Sequence, residues 1–207
     1  MVNTGIDNSA YDKLPGLVLG FHGCDSDTYR RVLYKHIHLK KSENAYDWLG
    51  HGIYFWENSY ERALEWANHK FGADGTVIGA VINLGQCLNL TDYRSNRFLE
   101  IGYHTLKQLH KQNGKPLPVN QNGRSDTDIL LRNLDCAVIQ QIHSLLQGGM
   151  MDLSPFDSVR GIFTEGEPAF PGSAIPQKTH VQICVVNPNC IKGYFAPLKP
   201  EQGYPMP

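Results

Sequence analysis

Six aromatic side chains crowd into one stretch, DWLGHGIYFWENSYERALEWA at residues 47–67, which also holds a Gly-x-Gly pair. Rings at this density can build a core, or one of them can be held out to stack on a flat ligand. Alternation along HGIYFW places Ile53 and Phe55 on one strand face and Tyr54 on the other. We predict that the apolar pair faces the core and that Tyr54 faces a ligand cleft. The alternative is a packing tyrosine whose hydroxyl reaches the surface.

A late strand, THVQICVV at residues 179–186, presents a second polar side chain in the same way. Its apolar face consists of Val181, Ile183 and Val185. Gln182 belongs to the opposite face, and we predict that it points into the cleft. A glutamine can hydrogen-bond a ligand hydroxyl, but it cannot lend a negative charge to a cationic transition state.

An early strand, LVLGFHG at residues 17–23, carries His22 near its end, with Cys24 two residues further on. A lone histidine on a buried strand is commonly a structural residue bonded to a carbonyl. A nucleophilic pair of Cys24 and His22 would need an orienting acid, and none is evident in the sequence.

The composition is that of one globular domain. The chain has 207 residues, of which 41% are hydrophobic and 19% are charged, and its formal net charge is −1. This length allows a sizeable core, and the near-neutral balance gives no argument for salt-driven binding of nucleic acid. We interpret a local basic run as a solvated face; it consists of Arg30, Arg31, Lys35, Lys40 and Lys41.

Cysteine usage and the lack of long apolar segments indicate the compartment. The five cysteines are odd in number and form no CxxC motif, which favours reduced thiols in a cytoplasmic protein. No stretch has the length of a membrane span, and the N-terminus lacks the pattern of a signal peptide, so we expect neither. The nine histidines form no Cys/His cluster at ligand spacing, so we expect no metal site.

Strand patterns at both ends of the chain enclose a helical middle, which favours an α+β fold over alternating parallel units. Strands are predicted at residues 17–23, 51–56, 76–85, 158–163, 179–186 and 190–197, the last two as a hairpin. Helices are predicted at 26–37, 60–70, 97–112 and 126–147, with caps at Ser26 or Asp27, Asn58 or Ser59, and Asp126 with Thr127. The Pro- and Gly-rich residues 165–178 are predicted to form a loop.

Taken in chain order, FHG at 21–23, GIYF at 52–55 and the strand at 179–186 resemble the motifs of the diphtheria-toxin-like ADP-ribosyltransferases, which include the poly(ADP-ribose) polymerases. That family has a His in an HG context on its first strand, a Tyr in a G-x-G-I-Y-F context and a Glu on a later strand. The stretch GHGIYFWENSYERALEWA also matches the small residue of the following helix, at Ala63. The ordered set is more specific than any one of the motifs.

The resemblance implies an ADP-ribosyltransferase fold, in which two small, strongly bent sheets pack against one another with NAD between them. We expect a single domain over residues 1–207, with a core at about 15–198 and a flexible tail at 199–207. The helical middle has no counterpart in the motifs. The chain also lacks the GxGxxG loop of Rossmann folds, so the binding of NAD would depend on the cleft.

The resemblance also implies how NAD is held. His22 would hydrogen-bond a ribose hydroxyl, and the backbone of Gly23 would pair with the nicotinamide amide. Tyr54, with Gly52 as a further cofactor-binding position, would stack on the nicotinamide ring. Gln182 occupies the position of the family's catalytic Glu and would orient the ribose.

The chain departs from the family pattern at further positions. Cys24 stands where Ser or Thr is frequent, and Glu65 stands where poly-ADP-ribosylating members have a second stacking Tyr, with Trp66 beside it. Because the strand glutamine is uncharged, the resemblance makes Glu165 or Glu167 the candidate acid that activates the acceptor. The alternative is that both are solvated loop carboxylates.

Two more charged residues have open roles. Arg160 would pair with a phosphate of the dinucleotide or with one of the two loop glutamates. Glu57 follows the tyrosine motif and is predicted to lie near a helix start, where the dipole favours an acid.

These features lead us to expect a mono-ADP-ribosyltransferase that cleaves the nicotinamide–ribose bond of NAD and transfers ADP-ribose to a protein or nucleic-acid acceptor. By resemblance, such a protein would fit a bacterial toxin or anti-phage effector that is controlled by an antitoxin. The alternatives are an NAD glycohydrolase and a non-catalytic module that binds NAD or ADP-ribose. A phosphotransferase on RNA ends ranks lower, because it would need a basic cleft.

Overall fold

The computed structural model describes residues 16–122, 129–151 and 153–205. Its helices are α1 (Ser26–Lys35), α2 (Tyr60–Phe71), α3 (Asn96–Gln112) and α4 (Asn133–Gln147). Its strands are β1 (Leu17–Asp25), β2 (Ile53–Glu57), β3 (Gly75–Asn83), β4 (Cys87–Asn89), β5 (Asn120–Gln121), β6 (Leu131–Arg132), β7 (Ser158–Phe163), β8 (His180–Val185) and β9 (Ile191–Phe195). The protein is therefore a mixed α+β structure, as the sequence predicts.

Helix α1 begins as predicted but is capped one residue earlier than expected. Asp25, and not Ser26 or Asp27, is the N-cap, and its carboxylate accepts a hydrogen bond from the backbone N–H of Thr28. The carboxylate at this position reaches an N–H that the helix leaves unpaired, which explains the cap. The same hydrogen bond holds the pKa of Asp25 below its usual value.

Helix α2 begins where the sequence predicts, whereas helix α4 begins later than predicted. Ser59 is the N-cap of α2, although its side chain makes no capping hydrogen bond. Helix α4 begins at Asn133 because Leu131–Arg132 is extended and pairs with Asn120–Gln121. The predicted caps Asp126 and Thr127 lie outside the described residues, as do residues 206–207 of the predicted tail.

Seven strands form one hydrogen-bonded sheet in the order β4-β7-β8-β2-β1-β3-β9, and β5 and β6 form a separate pair. Strands β4 and β7 are parallel, and the other neighbours are antiparallel. The predicted hairpin of β8 and β9 is wrong. Strand β8 is flanked on both sides, by β7 and β2, so β9 pairs instead with the open edge of β3.

The sheet has a short pairing in its middle, between β1 and β2. Strands β1 and β3 pair over nine residues, whereas β1 and β2 pair only at Gly20↔Glu57 and Phe21↔Trp56. The sheet is thus one connected unit with a short junction between β1 and β2, whereas the resemblance implies two small sheets packed against one another. The candidate site opens beside this junction.

Both faces of the sheet are buried at β8, which corrects a simple division into a core face and a cleft face. Ile53 and Phe55 are buried in a cluster with Ile183 and Val185, as predicted for the apolar faces of β2 and β8. The opposite face of β8 is buried as well, because Cys184 packs in a second cluster under α3 and α4. The cleft therefore occupies only part of that face.

Candidate functional site

A cavity of about 810 Å³ lies beside the junction of β1 and β2. Its wall is built from segments that are far apart in sequence, and it includes six of the seven predicted site residues: His22, Gly23, Gly52, Tyr54, Glu165 and Gln182. The seventh, Glu167, is exposed in the loop, where its backbone carbonyl accepts a hydrogen bond from Gln177. Glu167 is therefore not part of the cavity wall, and its position fits the alternative of a solvated loop carboxylate.

His22 is fixed by the strand that faces it across the junction. Its Nδ1 lies 2.8 Å from the carbonyl oxygen of Tyr54. A carbonyl only accepts hydrogen bonds, so Nδ1 carries the proton and Nε2 is the acceptor of the neutral ring. Burial, and to a lesser extent the charge of Lys70, lowers the pKa of His22, so the ring is neutral at pH 7. His22 can thus accept a hydrogen bond from a ligand hydroxyl.

Tyr54 lines the cavity, but its hydroxyl is not at the surface. The hydroxyl donates to the carbonyl of Gly50 at 2.8 Å and accepts from the backbone N–H of Leu49 at 3.0 Å. Desolvation raises the pKa of Tyr54 above its usual value, so the phenol stays protonated. The two hydrogen bonds fix the ring, which also packs against the core cluster under α3 and α4, so of the packing alternative only the exposed hydroxyl is wrong.

The glycines around these residues have packing roles. A Cβ on Gly23 would lie 2.5 Å from the carbonyl of Ala63, so the bare backbone lets α2 rest on β1. A Cβ on Gly52 would lie 2.5 Å from the sulfur of Cys184 on β8, and Gly50 has a φ of +81° that favours glycine. The glycines and Ala63 therefore have a structural explanation that does not require a ligand.

Gln182 is oriented by Trp48, a residue to which the sequence analysis assigns no role. The indole Nε1 of Trp48 donates to Oε1 of Gln182 at 2.6 Å. Strand β7 places Gly161 opposite Gln182, and the Trp48 ring occupies the space above that glycine. Two features of the sequence signal this contact: Trp48 shortly before GHG, and Gly161 inside the strand SVRGIF.

Glu165 is in the wall of the cavity and is held by a charge network. Its Oε2 accepts from Arg62 at 2.8 Å, and Arg62 also pairs with Glu65, which in turn pairs with Lys178. The hydrogen bond from Lys178, followed by that from Arg62, lowers the pKa of Glu65. Glu65 is thus an ionic tie between α2 and the loop at 164–178.

Trp66 lies beside Glu65 and lines the cavity. Its ring makes a tilted contact with Trp56 at a centroid distance of 5.8 Å. The cavity therefore has aromatic walls from both β2 and α2.

Arg160 pairs with neither Glu165 nor Glu167. Glu57 lies just before α2, near a helix start as predicted, but its carboxylate is engaged by Arg160. Arg160 on β7 and Glu57, the last residue of β2, form a two-pronged ion pair with distances of 2.6 and 3.0 Å. Both side chains are mostly buried, with exposures of 16% and 13%. The bidentate geometry satisfies the guanidinium within the protein, so this pair is a tie within the sheet rather than a phosphate site.

The wall of the cavity carries more positive than negative side chains. Its cations are Arg31, Lys40, Lys41, Arg62 and Lys70, and its carboxylates are Asp25, Asp47 and Glu165. Each carboxylate already accepts a hydrogen bond from the protein, from Thr28, Asn44 and Arg62 respectively. Part of the basic run thus faces the cavity instead of forming only a solvated surface, and it suits an anionic ligand.

Cys24 is not equipped for nucleophilic attack. Burial, followed by the charges of Asp25 and Asp74, raises the pKa of its thiol to about 12. The thiolate is therefore scarce at neutral pH, and the pairing of Cys24 with His22 as a nucleophilic dyad loses its basis. All five cysteines are free.

No family model, curated protein or solved structure matches this chain. Within the described residues, no group of three or more His, Cys, Asp or Glu side chains is placed to hold a metal ion. In the same part of the chain, every helix is too short or too polar to cross a membrane.

Proposed function

We propose that the protein is an NAD-dependent mono-ADP-ribosyltransferase with an ADP-ribosyltransferase fold. The observation that carries the proposal is the convergence of His22, Gly23, Tyr54 and Gln182 on one cavity. These residues come from three strands and occupy the positions at which the sequence resembles that family. The cavity volume of about 810 Å³ is within the range of sites for small molecules and cofactors.

The roles of the side chains follow from their contacts. His22 Nε2 is an acceptor for a ribose hydroxyl, because Nδ1 is engaged with the Tyr54 carbonyl. The Tyr54 ring, fixed through its hydroxyl, is the surface for the nicotinamide ring. The lysines and arginines of the wall balance the charge of the pyrophosphate. NAD is the substrate, and cleavage separates nicotinamide from the ribose.

Glu165 is the carboxylate that we assign to acceptor activation. Only its Oε2 is engaged by Arg62, so within the described part of the chain Oε1 has no hydrogen-bond partner. A half-buried carboxylate with one free oxygen can accept the proton of an incoming nucleophile. The acceptor is a macromolecule, protein or nucleic acid, and a toxin or anti-phage effector restrained by an antitoxin is the setting that we propose.

A second candidate function is a non-catalytic module that binds NAD or ADP-ribose. One observation favours it: Gln182 is uncharged, and each carboxylate of the cavity wall is already hydrogen-bonded within the protein. Such a site has binding groups, but it offers less stabilisation to a cationic transition state than a free carboxylate would.

Incubation with NAD labelled in its adenylate phosphate, in the presence of cell extract, tests the proposal. We expect label in macromolecules with the wild-type protein, loss of label with Tyr54→Ala and retention with the core substitution Ile183→Val. Free labelled ADP-ribose without labelled macromolecule would indicate the glycohydrolase. Binding of NAD without cleavage would select the non-catalytic module. The absence of NAD binding would refute both the transferase and the non-catalytic module.

A further inference from the structure

Trp48 makes a polar contact that determines which end of the Gln182 amide faces the cavity. The distance from its indole Nε1 to Gln182 Oε1 is 2.6 Å. An indole N–H only donates hydrogen bonds, so the amide oxygen must face Trp48 and the amide NH₂ group must be directed elsewhere. Both residues line the cavity, so the orientation is relevant to any ligand there.

The indole is held on several sides. A Cβ at Gly161 would lie 2.6 Å from the Trp48 ring, so the ring fills the space of the side chain that is missing opposite Gln182. Phe163 contacts the ring at a centroid distance of 5.2 Å, and the guanidinium of Arg132 lies over it at 5.1 Å. Packing against these neighbours restricts the rotamers of Trp48 and fixes the direction of its N–H.

We infer that Trp48 is a positioning residue that makes Gln182 a hydrogen-bond donor toward the ligand. This inference rests on the proposed function where it concerns NAD, because the ligand would then meet a donor at Gln182 and an acceptor at His22. Neighbouring ribose hydroxyls satisfy both, since a hydroxyl donates and accepts. Without Trp48 the amide is free to rotate, and the productive orientation is only one of those populated.

A merely structural Trp48 would behave differently in a double-mutant cycle. Trp48→Phe keeps an aromatic ring against Phe163 and removes the N–H, while Gln182→Met keeps the side-chain length and removes the amide. We expect each single substitution to lower kcat for nicotinamide release about tenfold, with a smaller change in KM, as for the loss of one hydrogen bond. In the Gln182→Met background, Trp48→Phe should have no further effect.

An equal loss from Trp48→Phe in both backgrounds would overturn the inference, because the residue would then act through packing alone. Trp66→Phe is the matched control. Trp66 also lines the cavity, but it lies on α2 and its ring contacts Trp56 and Phe71. Its effect should therefore combine additively with that of Gln182→Met.

A measurement without NAD separates this inference from the proposed function. The hydrogen exchange of the Trp48 indole N–H, followed by NMR, should be slow in the wild-type protein and in Gln182→Glu, which keeps an acceptor. It should be at least about tenfold faster in Gln182→Met, where the acceptor is lost. Equal exchange in all three proteins would refute the positioning role even if NAD is cleaved, and the expected pattern would support it even if NAD is not.

Discussion

At the scale of single residues, position 182 determines how much charge the site can offer. Trp48 donates an N–H to Gln182 Oε1, and a carboxylate oxygen in the same place would accept that hydrogen bond equally well. Gln182 therefore has the hydrogen bond from Trp48 that would orient a carboxylate, and it differs from a catalytic acid in its lack of charge. We therefore expect Trp48 to hold a glutamine or a glutamate at this position in the same orientation.

Gln182→Glu is therefore expected to raise the rate of nicotinamide release by about tenfold or more, because a fixed negative charge stabilises the oxocarbenium-like transition state. The release of nicotinamide is followed chromatographically at saturating NAD. Gln182→Asn is the control, since it keeps the amide but is too short to reach Trp48. An unchanged or lower rate in Gln182→Glu would show that charge at this position is not the limiting property.

At the scale of secondary-structure elements, the contact of α2 with β1 positions two walls of the cavity. Gly23 on β1 lies directly beneath Ala63, and both residues are buried. Helix α2 also carries Arg62 and Trp66, which line the cavity. A change in the spacing of α2 and β1 would therefore alter the shape of the site as well as stability.

Gly23→Ala should lower the free energy of unfolding by about 1–3 kcal/mol, because the added methyl group would overlap the Ala63 carbonyl, which the helix backbone cannot easily move away. Urea denaturation measures the change. Gly193→Ala is the control, because a Cβ there meets no atom within 4 Å and Gly193 is also in a strand. Equal stabilities of the two variants would contradict the close packing of α2 on β1.

Helix α4 contains a buried histidine that makes stability depend on pH. Both ring nitrogens of His143 are buried without a hydrogen-bond partner among the described residues. Burial, and to a lesser extent Lys41, lowers the pKa of His143 from 6.5 to about 4. The unfolded chain thus binds a proton more readily than the folded protein between these two values, so stability falls as the pH drops through that window.

His143→Leu should remove part of this dependence, about 3 kcal/mol between pH 6.5 and pH 4, according to the size of the pKa shift. Urea denaturation at a series of pH values compares the two proteins. His22 and His180, whose pKa values are also lowered by burial, should leave a residual slope in the variant. Identical slopes in both proteins would show that His143 is not protonated on unfolding.

At the scale of the whole molecule, local patterns in the sequence predicted which face of a strand a side chain lies on. They did not predict which strands are neighbours in the sheet. Alternation placed Phe55 in the core and Gln182 toward the cavity, because side-chain direction in a strand is a local property. The pairing of β9 with β3 was missed, because it depends on which strand edge remains open after the rest of the sheet has formed. Sequence proximity favoured the hairpin, and the occupied edges of β8 exclude it.

The residues of the site that lie in motifs were predictable from the sequence, whereas the contacts between distant segments were not. Residues with a motif around them, such as His22 and Tyr54, were found from the sequence and do line one cavity. Trp48 was missed because its contact with Gln182 joins positions 134 residues apart and depends on the missing side chain of Gly161. The pairing of Glu57 with Arg160 was missed for the same reason, since only the sheet order brings β2 and β7 close together.

The cavity between these segments is the central claim, and the most direct test of it is the release of nicotinamide from NAD by the purified protein. Wild-type protein should release nicotinamide, and His22→Ala, which loses the acceptor Nε2, should do so about a hundredfold more slowly. Ile183→Val, a change on the buried face of β8, should keep the wild-type rate within about twofold. Release at equal rates in the wild-type and His22→Ala proteins, or no release together with no binding of NAD, would contradict the account.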